Sequence, residues 1–232
     1  MAGKQISIAI DGPGGSGKST VARRVAERLG YTYVDTGAMY RAVAYRVLQE
    51  GLDPADEEAV TRLAEGLSMH FEQEPAGGQR LIVDGEDVSE VIRTPEVAAL
   101  SSPVSAIAGV RRRLTALQQQ RGRQGGVVME GRDIQTVVLP EAEVKVFLTA
   151  SDEERARRRY LELAAQGQEV DLAEVKRSLE ARDRRDSERA LAPLAKAPDA
   201  LELVTDGLTI EEEVARILEL AAAAGATVPG SE

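Results

Sequence analysis

The sequence predicts an α/β fold: a parallel β-sheet core with helices on both faces, broken by a small antiparallel β insertion. Three observations predict it. Over residues 6–47, short apolar runs alternate with amphipathic stretches, as parallel β-α units of an open sheet do. Gly12-Pro13-Gly14-Gly15-Ser16-Gly17-Lys18-Ser19 lies between the first such run and the first such stretch, and fits the pattern G-x-x-x-x-G-K-[ST]. From residue 67 the character changes to brief alternating runs punctuated by glycine and proline, which suits a hairpin better than another β-α unit.

Taken in order, Ile6-Ser7-Ile8-Ala9-Ile10-Asp11 reads as a short buried strand. Thr20 to Leu29 reads as a helix with Val21, Val25 and Leu29 on one stripe. Tyr31-Thr32-Tyr33-Val34 is the second strand, Gly37 to Gln49 the second helix, and residues 56–66 a third helix ending near Gly66. Residues 67–72 and 80–83 are short β runs separated by Glu74-Pro75-Ala76-Gly77-Gly78, and Asp84-Gly85 supplies a second turn. Thr94-Pro95-Glu96 places an N-cap before a proline at the first helical position, and a further helix covers Ile107 to Arg121. Gly125 to Glu130 and Ala142 to Leu148 are buried strands. Gly131-Arg132-Asp133 follows the first of them, at the C-terminal strand end where open α/β sheets place ligand contacts. Residues 151–166 and 171–189 form two charged helices joined by a turn at Gly167. Leu201 to Asp206 is the last strand, Thr209 to Ala224 the last helix, capped by Gly225, and Ala226 to Glu232 is expected to be a disordered tail. There are no internal repeats and no low-complexity linkers.

The strand–loop–helix context gives the glycine-rich motif its meaning. Consecutive glycines let the backbone fold around an anion with its N–H groups inward, and the N-terminus of the next helix adds partial positive charge. Lys18 then reaches the β and γ phosphates, and the Ser19 hydroxyl ligates Mg2+. Gly12 to Thr20 is therefore expected to bind a nucleoside triphosphate as a Walker A loop.

Composition narrows the classes. A chain of 232 residues forms one domain with insertions or two small ones, and 43% hydrophobic with 29% charged residues suits a globular protein. The absence of cysteine removes disulfides and thiolate metal sites. A single histidine, His70, in the alternating run Leu67 to Glu72, argues against a histidine metal centre or a Ser-His-Asp triad. Met1 to Gln5 leads directly into the first strand, and no apolar run reaches membrane-spanning length, so the expectation is a cytoplasmic protein without a membrane. A net charge of −10 argues against a broad nucleic-acid surface. Arginine is nevertheless dense at Arg111-Arg112-Arg113, at Arg155 with Arg157-Arg158-Arg159, and at Arg182 with Arg184, Arg185 and Arg189. Such clusters in an acidic chain suggest a small polyanion held in a focused site; each taken alone reads equally as a solvated helix face.

Further stretches carry a family resemblance: Asp11-Gly12-Pro13 running into the phosphate loop, Asp35-Thr36-Gly37-Ala38-Met39-Tyr40-Arg41, Gly85-Glu86-Asp87-Val88-Ser89 followed by Ile92-Arg93-Thr94, Gly131-Arg132-Asp133, and Arg182-Asp183 with Asp186 and Arg189. From about residue 6 to residue 220 the chain resembles the bacterial cytidylate kinases, nucleoside monophosphate kinases that phosphorylate CMP and dCMP. The resemblance implies a single kinase domain over 1–232, with a core (about 1–66, 96–150 and 190–225), an NMP-binding β insertion (about 67–95), a helical lid (about 151–189) and a tail (226–232). It implies ATP as donor, Mg2+ carried by ATP, a monomer, and a place in pyrimidine nucleotide metabolism.

What the resemblance implies for single residues has a chemical counterpart. Arg41 clamps the acceptor phosphate, its fork of donors matching two oxygens, and Arg132 joins it. Asp133 accepts from the exocyclic amino group of cytosine, with Ser102 and Arg111 completing the base contacts and Thr36 lining the pocket. Arg182, Asp186 and Arg189 are spaced i, i+4, i+7 on one helix face; the first two are assigned to the sugar and Arg189 to the acceptor nucleotide. Arg155, Arg158 and Arg159 fall in the helix that opens the lid, and Arg158 is the candidate contact to the donor nucleotide. Lys18, Arg132 and Arg158 are the candidate catalytic residues. The acceptor phosphate is already nucleophilic at neutral pH, so no general base is needed.

Rival classes fit less well. A guanine-nucleotide switch requires an N-K-x-D motif, and the chain has none. A shikimate-type metabolite kinase leaves the antiparallel insertion and the Arg182/Asp186/Arg189 face unexplained. A nucleic-acid-binding ATPase is disfavoured by the charge and by the 3% aromatic content.

Overall fold

The structure, a computed structural model, describes residues 4–73, 79–165 and 167–227. The expected turn at Glu74 to Gly78 and most of the expected tail lie outside the described residues. In chain order the elements are β1 (Ser7–Asp11), α1 (Lys18–Leu29), β2 (Thr32–Asp35), α2 (Thr36–Gln49), α3 (Glu57–Gly66), β3 (Met69–Gln73), β4 (Gln79–Val83), β5 (Glu86–Asp87), α4 (Pro95–Ala106), α5 (Ala108–Gly122), β6 (Val127–Gly131), β7 (Val144–Thr149), α6 (Asp152–Ala165), α7 (Leu172–Glu188), β8 (Leu201–Val204) and α8 (Ile210–Ala223). The larger sheet runs β2-β6-β1-β7-β8, and β3-β4-β5 form a separate three-stranded sheet. Two compact units divide the chain, one comprising residues up to Thr32 and from Gln124 onward, the other Tyr33–Arg123.

In the first unit, β1 pairs in parallel with β6 on one side and β7 on the other, and β7 pairs in parallel with β8. All five residues of β1 and all five of β6 are buried, as expected of central strands covered by helices, and this explains their near-continuous apolar sequence. Ile8, Ile10, Met129, Leu148, Val21 and Ile217 are among the most deeply buried side chains. The register sets Asp11 opposite Gly131, so the glycine-rich loop and Gly131-Arg132-Asp133 leave the sheet side by side. Helix α1 ends at Gly30 in the left-handed conformation (φ 67°), and α8 begins with a capping box between Thr209 and Glu212. The expected strand over 201–206 stops at Val204. Asp206 has turned to accept from the Ser151 backbone N–H (2.9 Å), leaving the ladder in order to cap the segment before α6. After α8, Ala226 is buried and its N–H donates to Ala221 (2.9 Å).

The second unit packs α2, α3, α4 and α5 with the antiparallel sheet around one apolar cluster that includes Val43, Val47, Val60, Leu81, Val83, Val104, Val110 and Leu114. Pairing of Met69 with Val83 and Phe71 with Leu81 fixes the hairpin register, and Asp84 and Gly85 turn the chain with φ of 51° and 84°. Helix α4 starts as its sequence indicates, with the Thr94 side chain accepting from Val97 and Pro95 in the first turn. It contains Pro103 and ends three residues later, where extended Ile107 separates it from α5. His70 is exposed on β3 beside Glu72 (3.4 Å).

Candidate active site

Within the first unit the glycine-rich loop is shaped by close approach. A Cβ on Gly12 would lie 2.0 Å from the Leu148 carbonyl oxygen, so the loop can cross β7 only without a side chain there. Gly17 caps α1 with φ 94°, a left-handed conformation that other residues rarely adopt. Lys18 follows in the first helical turn, 5% exposed, its Nζ donating to the Pro13 carbonyl (2.6 Å) and to Ser16 Oγ (3.2 Å). Burial, and then the cationic field of Arg132, push the Lys18 ammonium down to about 7, with Arg182 adding to the effect and Glu130 and Asp11 opposing it. The fold thus holds three cationic side chains close enough to disfavour one another, an arrangement that anionic phosphate oxygens would relieve.

A single helix, α7, gathers the next group. Asp186 accepts from Arg132 Nε (2.9 Å) and lies 4.0 Å from both Arg182 and Arg189 on its own chain segment. Arg189 Nη2 lies 3.4 Å from Asp133 Oδ1, and its Nε donates to the Ala192 carbonyl (2.7 Å). Five expected site residues, Arg132, Asp133, Arg182, Asp186 and Arg189, therefore stand in one network of three guanidiniums and two carboxylates. The spacing i, i+4, i+7 is real, but the shortest contact of Asp186 is to Arg132 from the end of β6, not to an arginine on α7.

Asp11 holds this group to the loop. Its two carboxylate oxygens accept from the backbone N–H groups of Ile134 (3.0 Å) and Gln135 (2.8 Å), immediately after Asp133. The chain there makes a π-helical turn over Ile134–Val138, with the Asp133 carbonyl accepting from Val137 and Val138. Burial pushes the Asp11 carboxyl up to about 7 against the pull of these two donors.

On the other flank of the loop Arg158 donates to the Ser16 carbonyl (3.3 Å), to Thr205 Oγ1 (3.0 Å) and to the Thr205 carbonyl (3.0 Å), while its Nε is held by Glu154 (2.9 Å). Hydrogen bonds from Arg157 and Arg158 hold the Glu154 carboxyl down at about 2. The other two arginines of this group on α6 behave differently from Arg158. Arg155 is buried against Gly14, Asp152 and Asp183, whereas Arg159 pairs with Glu162 (2.7 Å) along the helix.

Ser19 is exposed in the first turn of α1. Among the described residues, no group of three or more His, Cys, Asp or Glu could hold a metal ion. A lone hydroxyl oxygen fits a hard cation that brings most of its ligands as phosphate and water, as Mg2+ does.

The second unit carries the other expected contacts. Asp35 caps α2 by accepting from Ala38 N–H (2.9 Å), and Arg41 Nη2 donates to its second oxygen (2.8 Å). Burial raises the Asp35 carboxyl, but the Arg41 guanidinium and the Ala38 N–H outweigh it and hold the group below the usual carboxylate range. Thr36, the first residue of α2, is buried. Arg111 is buried with its guanidinium over the Tyr40 ring (5.4 Å) and donates to the Ser105 carbonyl (3.1 Å). Ser105 Oγ in turn donates to the Ser102 carbonyl (2.8 Å), so the helix turn carrying Ser102 is tied to Arg111.

The family sequence model described as cytidylate kinase matches residues 8–223. The chain belongs to the cytidylate kinase family. A cytidylate kinase from Desulfitobacterium hafniense (strain Y51) is 53% identical over 217 residues, covering 94% of this chain and 93% of that protein. A bifunctional pantoate ligase/cytidylate kinase from Prochlorococcus marinus (strain MIT 9313) is also 53% identical, and here the chain spans 43% of the relative's length. A crystal structure of an uncharacterized protein from Eubacterium ventriosum ATCC 27560 shares the fold, with a TM-score of 0.52 at 12% identity over 95% of this chain and 99% of that one. Family membership accounts for the run of motifs from Asp11 to Arg189 as parts of one kinase. No helix among the described residues is long and apolar enough to cross a membrane.

Several carboxylates at the site escaped sequence reasoning. Asp11 and Asp183 stand in the motifs that carry the family resemblance but are given no role there, and Glu213 had no signal beyond lying in a charged helix turn. Glu213 is 2% exposed on α8, and its Oε2, for which no hydrogen-bond partner is found, lies 3.9 Å from where a Cβ on Gly17 would stand. Burial pushes its carboxyl up to about 7, with Arg158 pulling the other way. A folded-state value raised from 4.5 means that the folded protein binds the extra proton between about pH 4.5 and 7, and the stability this proton contributes is lost as pH rises through that window. Replacing Glu213 with Gln, which cannot ionise, is expected to flatten the fall in melting temperature over that range. Parallel melting curves for the two proteins would refute this assignment.

Proposed function

We propose that this chain transfers the γ-phosphate of ATP to CMP or dCMP, giving CDP or dCDP. The observation that carries the reading is the convergence of Arg132 and Arg182 on Lys18 beside a glycine-rich loop, the two arginines disfavouring the charge of the buried Lys18 ammonium until phosphate oxygens arrive. ATP binds along Gly12 to Thr20, with Lys18 directed at its phosphates and Arg158 at the donor side. Mg2+ carried by ATP would be held at Ser19 Oγ and would supply neutralisation of charge between the phosphates. The acceptor phosphate is held by Arg41 and Arg132, the sugar by Arg182 and Asp186, and the base by Asp133, Ser102, Arg111 and Thr36, with Arg189 beside the acceptor nucleotide.

Catalysis in this reading is positioning together with electrostatics. The acceptor phosphate, with a second ionisation near pH 6, attacks as a dianion and needs no proton removed, so exposed His70 has no part. The arginines take up the charge that spreads over the transferring group, and the Lys18 ammonium is restored to full charge by the phosphates it meets. Residues 67–95 serve as the nucleotide-binding insertion and 151–189 as a lid whose closure excludes water. The protein works as a cytoplasmic monomer, and its charge of −10 keeps it off nucleic acid.

The test is ADP release from Mg-ATP across CMP, dCMP, UMP, AMP, GMP and shikimate. Turnover with CMP and dCMP at least about tenfold above every other acceptor is expected. Turnover with shikimate alone, or with no nucleotide, contradicts the reading.

A further inference from the structure

Asp183 has no place in the phosphate or base contacts described above, yet it grips the phosphate loop directly. Its Oδ1 accepts from the Gly14 N–H (2.9 Å), and Arg155 Nη1 donates to the carbonyl of the same residue (2.8 Å). Arg155 and Asp183 are themselves ion-paired, and Arg155 Nη2 is held by Asp152 Oδ1 (2.5 Å). Gly14, Asp183 and Arg155 therefore close a ring in which one residue of the donor loop is fixed through both its N–H and its C=O. The side chains are 7% (Arg155) and 15% (Asp183) exposed, so solvent does little to loosen the ring.

One helical turn beyond Asp183 on the same helix is Asp186, which takes Arg132 at 2.9 Å. Residues i and i+3 share a helix face, so the acceptor-side arginine and the donor loop are fastened to one rigid element about 4.5 Å apart along its axis. Arg182, next to Asp183, faces the same carboxylate at 4.0 Å. A displacement of α7 that accompanies engagement of Arg132 or Arg182 must reach the backbone at Gly14.

Building on the function proposed above, we infer that Asp183, steadied by Arg155, is a positioning residue that couples acceptor binding to the shape of the donor phosphate loop. Its carboxylate is taken up by the Gly14 N–H and by Arg155. CMP held by the arginines around Asp186 sets α7, and α7 through Asp183 sets Gly14 for the triphosphate. Because coupling is reciprocal, ATP must tighten CMP by the same factor.

The experiment is calorimetric titration of the full chain with Mg-AMPPNP, alone and at saturating CMP, for the wild type, Asp183→Asn and Arg155→Lys. Asparagine keeps the shape but loses the ion pair; lysine keeps the charge but not the two-pronged grip, and provides a second reading should the first variant fold poorly. CMP is expected to tighten AMPPNP about 5- to 100-fold in the wild type and less than about twofold in either variant, with CMP affinity alone changed less than about threefold. Full coupling retained in a variant overturns the inference. So do equal losses of both affinities with the coupling factor unchanged, since that is what a purely structural ion pair gives, and so does a wild type without coupling. A wild type that binds AMPPNP but not CMP instead overturns the proposed function on which the inference rests.

Discussion

Lys18→Met is expected to lower kcat for CDP formation by about 10²- to 10³-fold or more while the protein stays folded. The ammonium lies within the loop, donating to the Pro13 carbonyl and Ser16 Oγ, while Arg132 and Arg182 are engaged with Asp186. The fold is expected to tolerate the change for an electrostatic reason. A lysine pushed down from 10.5 to about 7 opposes folding at neutral pH, since burying its charge costs more than its contacts with Pro13 and Ser16 return. Wild-type stability therefore rises with pH between about 7 and 10.5, and the methionine variant lacks that rise. Steady-state kinetics with melting curves at two pH values checks both halves. Near-normal turnover would remove Lys18 from the chemistry, and unfolding at neutral pH would show that its hydrogen bonds outweigh its desolvation.

Asp133→Ala is expected to cut kcat/KM for CMP by about 10²-fold and for UMP by far less, so that the preference between them shrinks at least about tenfold. The carboxylate is 5% exposed and faces Arg189, which the variant leaves with a buried charge and one partner fewer. That loss weakens both nucleotides alike, so the ratio isolates the base contact. Uracil presents a carbonyl where cytosine presents an amino group, and a carboxylate repels the former. Asp133→Asn sharpens the test because an amide can donate to that carbonyl, and it is expected to move the preference further toward UMP than alanine does. An unchanged ratio in both variants would place Asp133 outside the base pocket and leave it as the partner of Arg189 and a neighbour of Asp11.

Local chemistry made much of this protein legible in its sequence. The buried strands show as apolar runs, Thr94-Pro95 and Thr209 announce helix starts, and Asp84-Gly85 announces a hairpin, because caps and turns are decided by residues adjacent in the chain. Charged helices α6 and α7 show through their periodicity and the glycine at 167. Strand β5 did not show, since its two exposed residues, Glu86 and Asp87, are a strand only by virtue of pairing with Ile82 and Val83. The π-helical turn after Asp133 did not show either, because Asp11, 123 and 124 residues away from the two amides it holds, sets it. The same applies to the site. Motif residues such as Lys18, Arg132 and Asp186 could be nominated from spacing and resemblance. How they pair could not be read, since Arg132 meets Asp186 across 54 positions and Asp183 grips Gly14 across 169.

In the function proposed above, one loop and one arginine–carboxylate network move a phosphoryl group from ATP to a cytidine monophosphate. The most direct measurement incubates the protein with Mg-ATP labelled in the γ position and equal amounts of CMP and UMP, and separates the products. Label is expected in CDP, at least about tenfold more than in UDP, with little release as inorganic phosphate while CMP remains. Label appearing chiefly as inorganic phosphate, or equally in CDP and UDP, would contradict the proposed function.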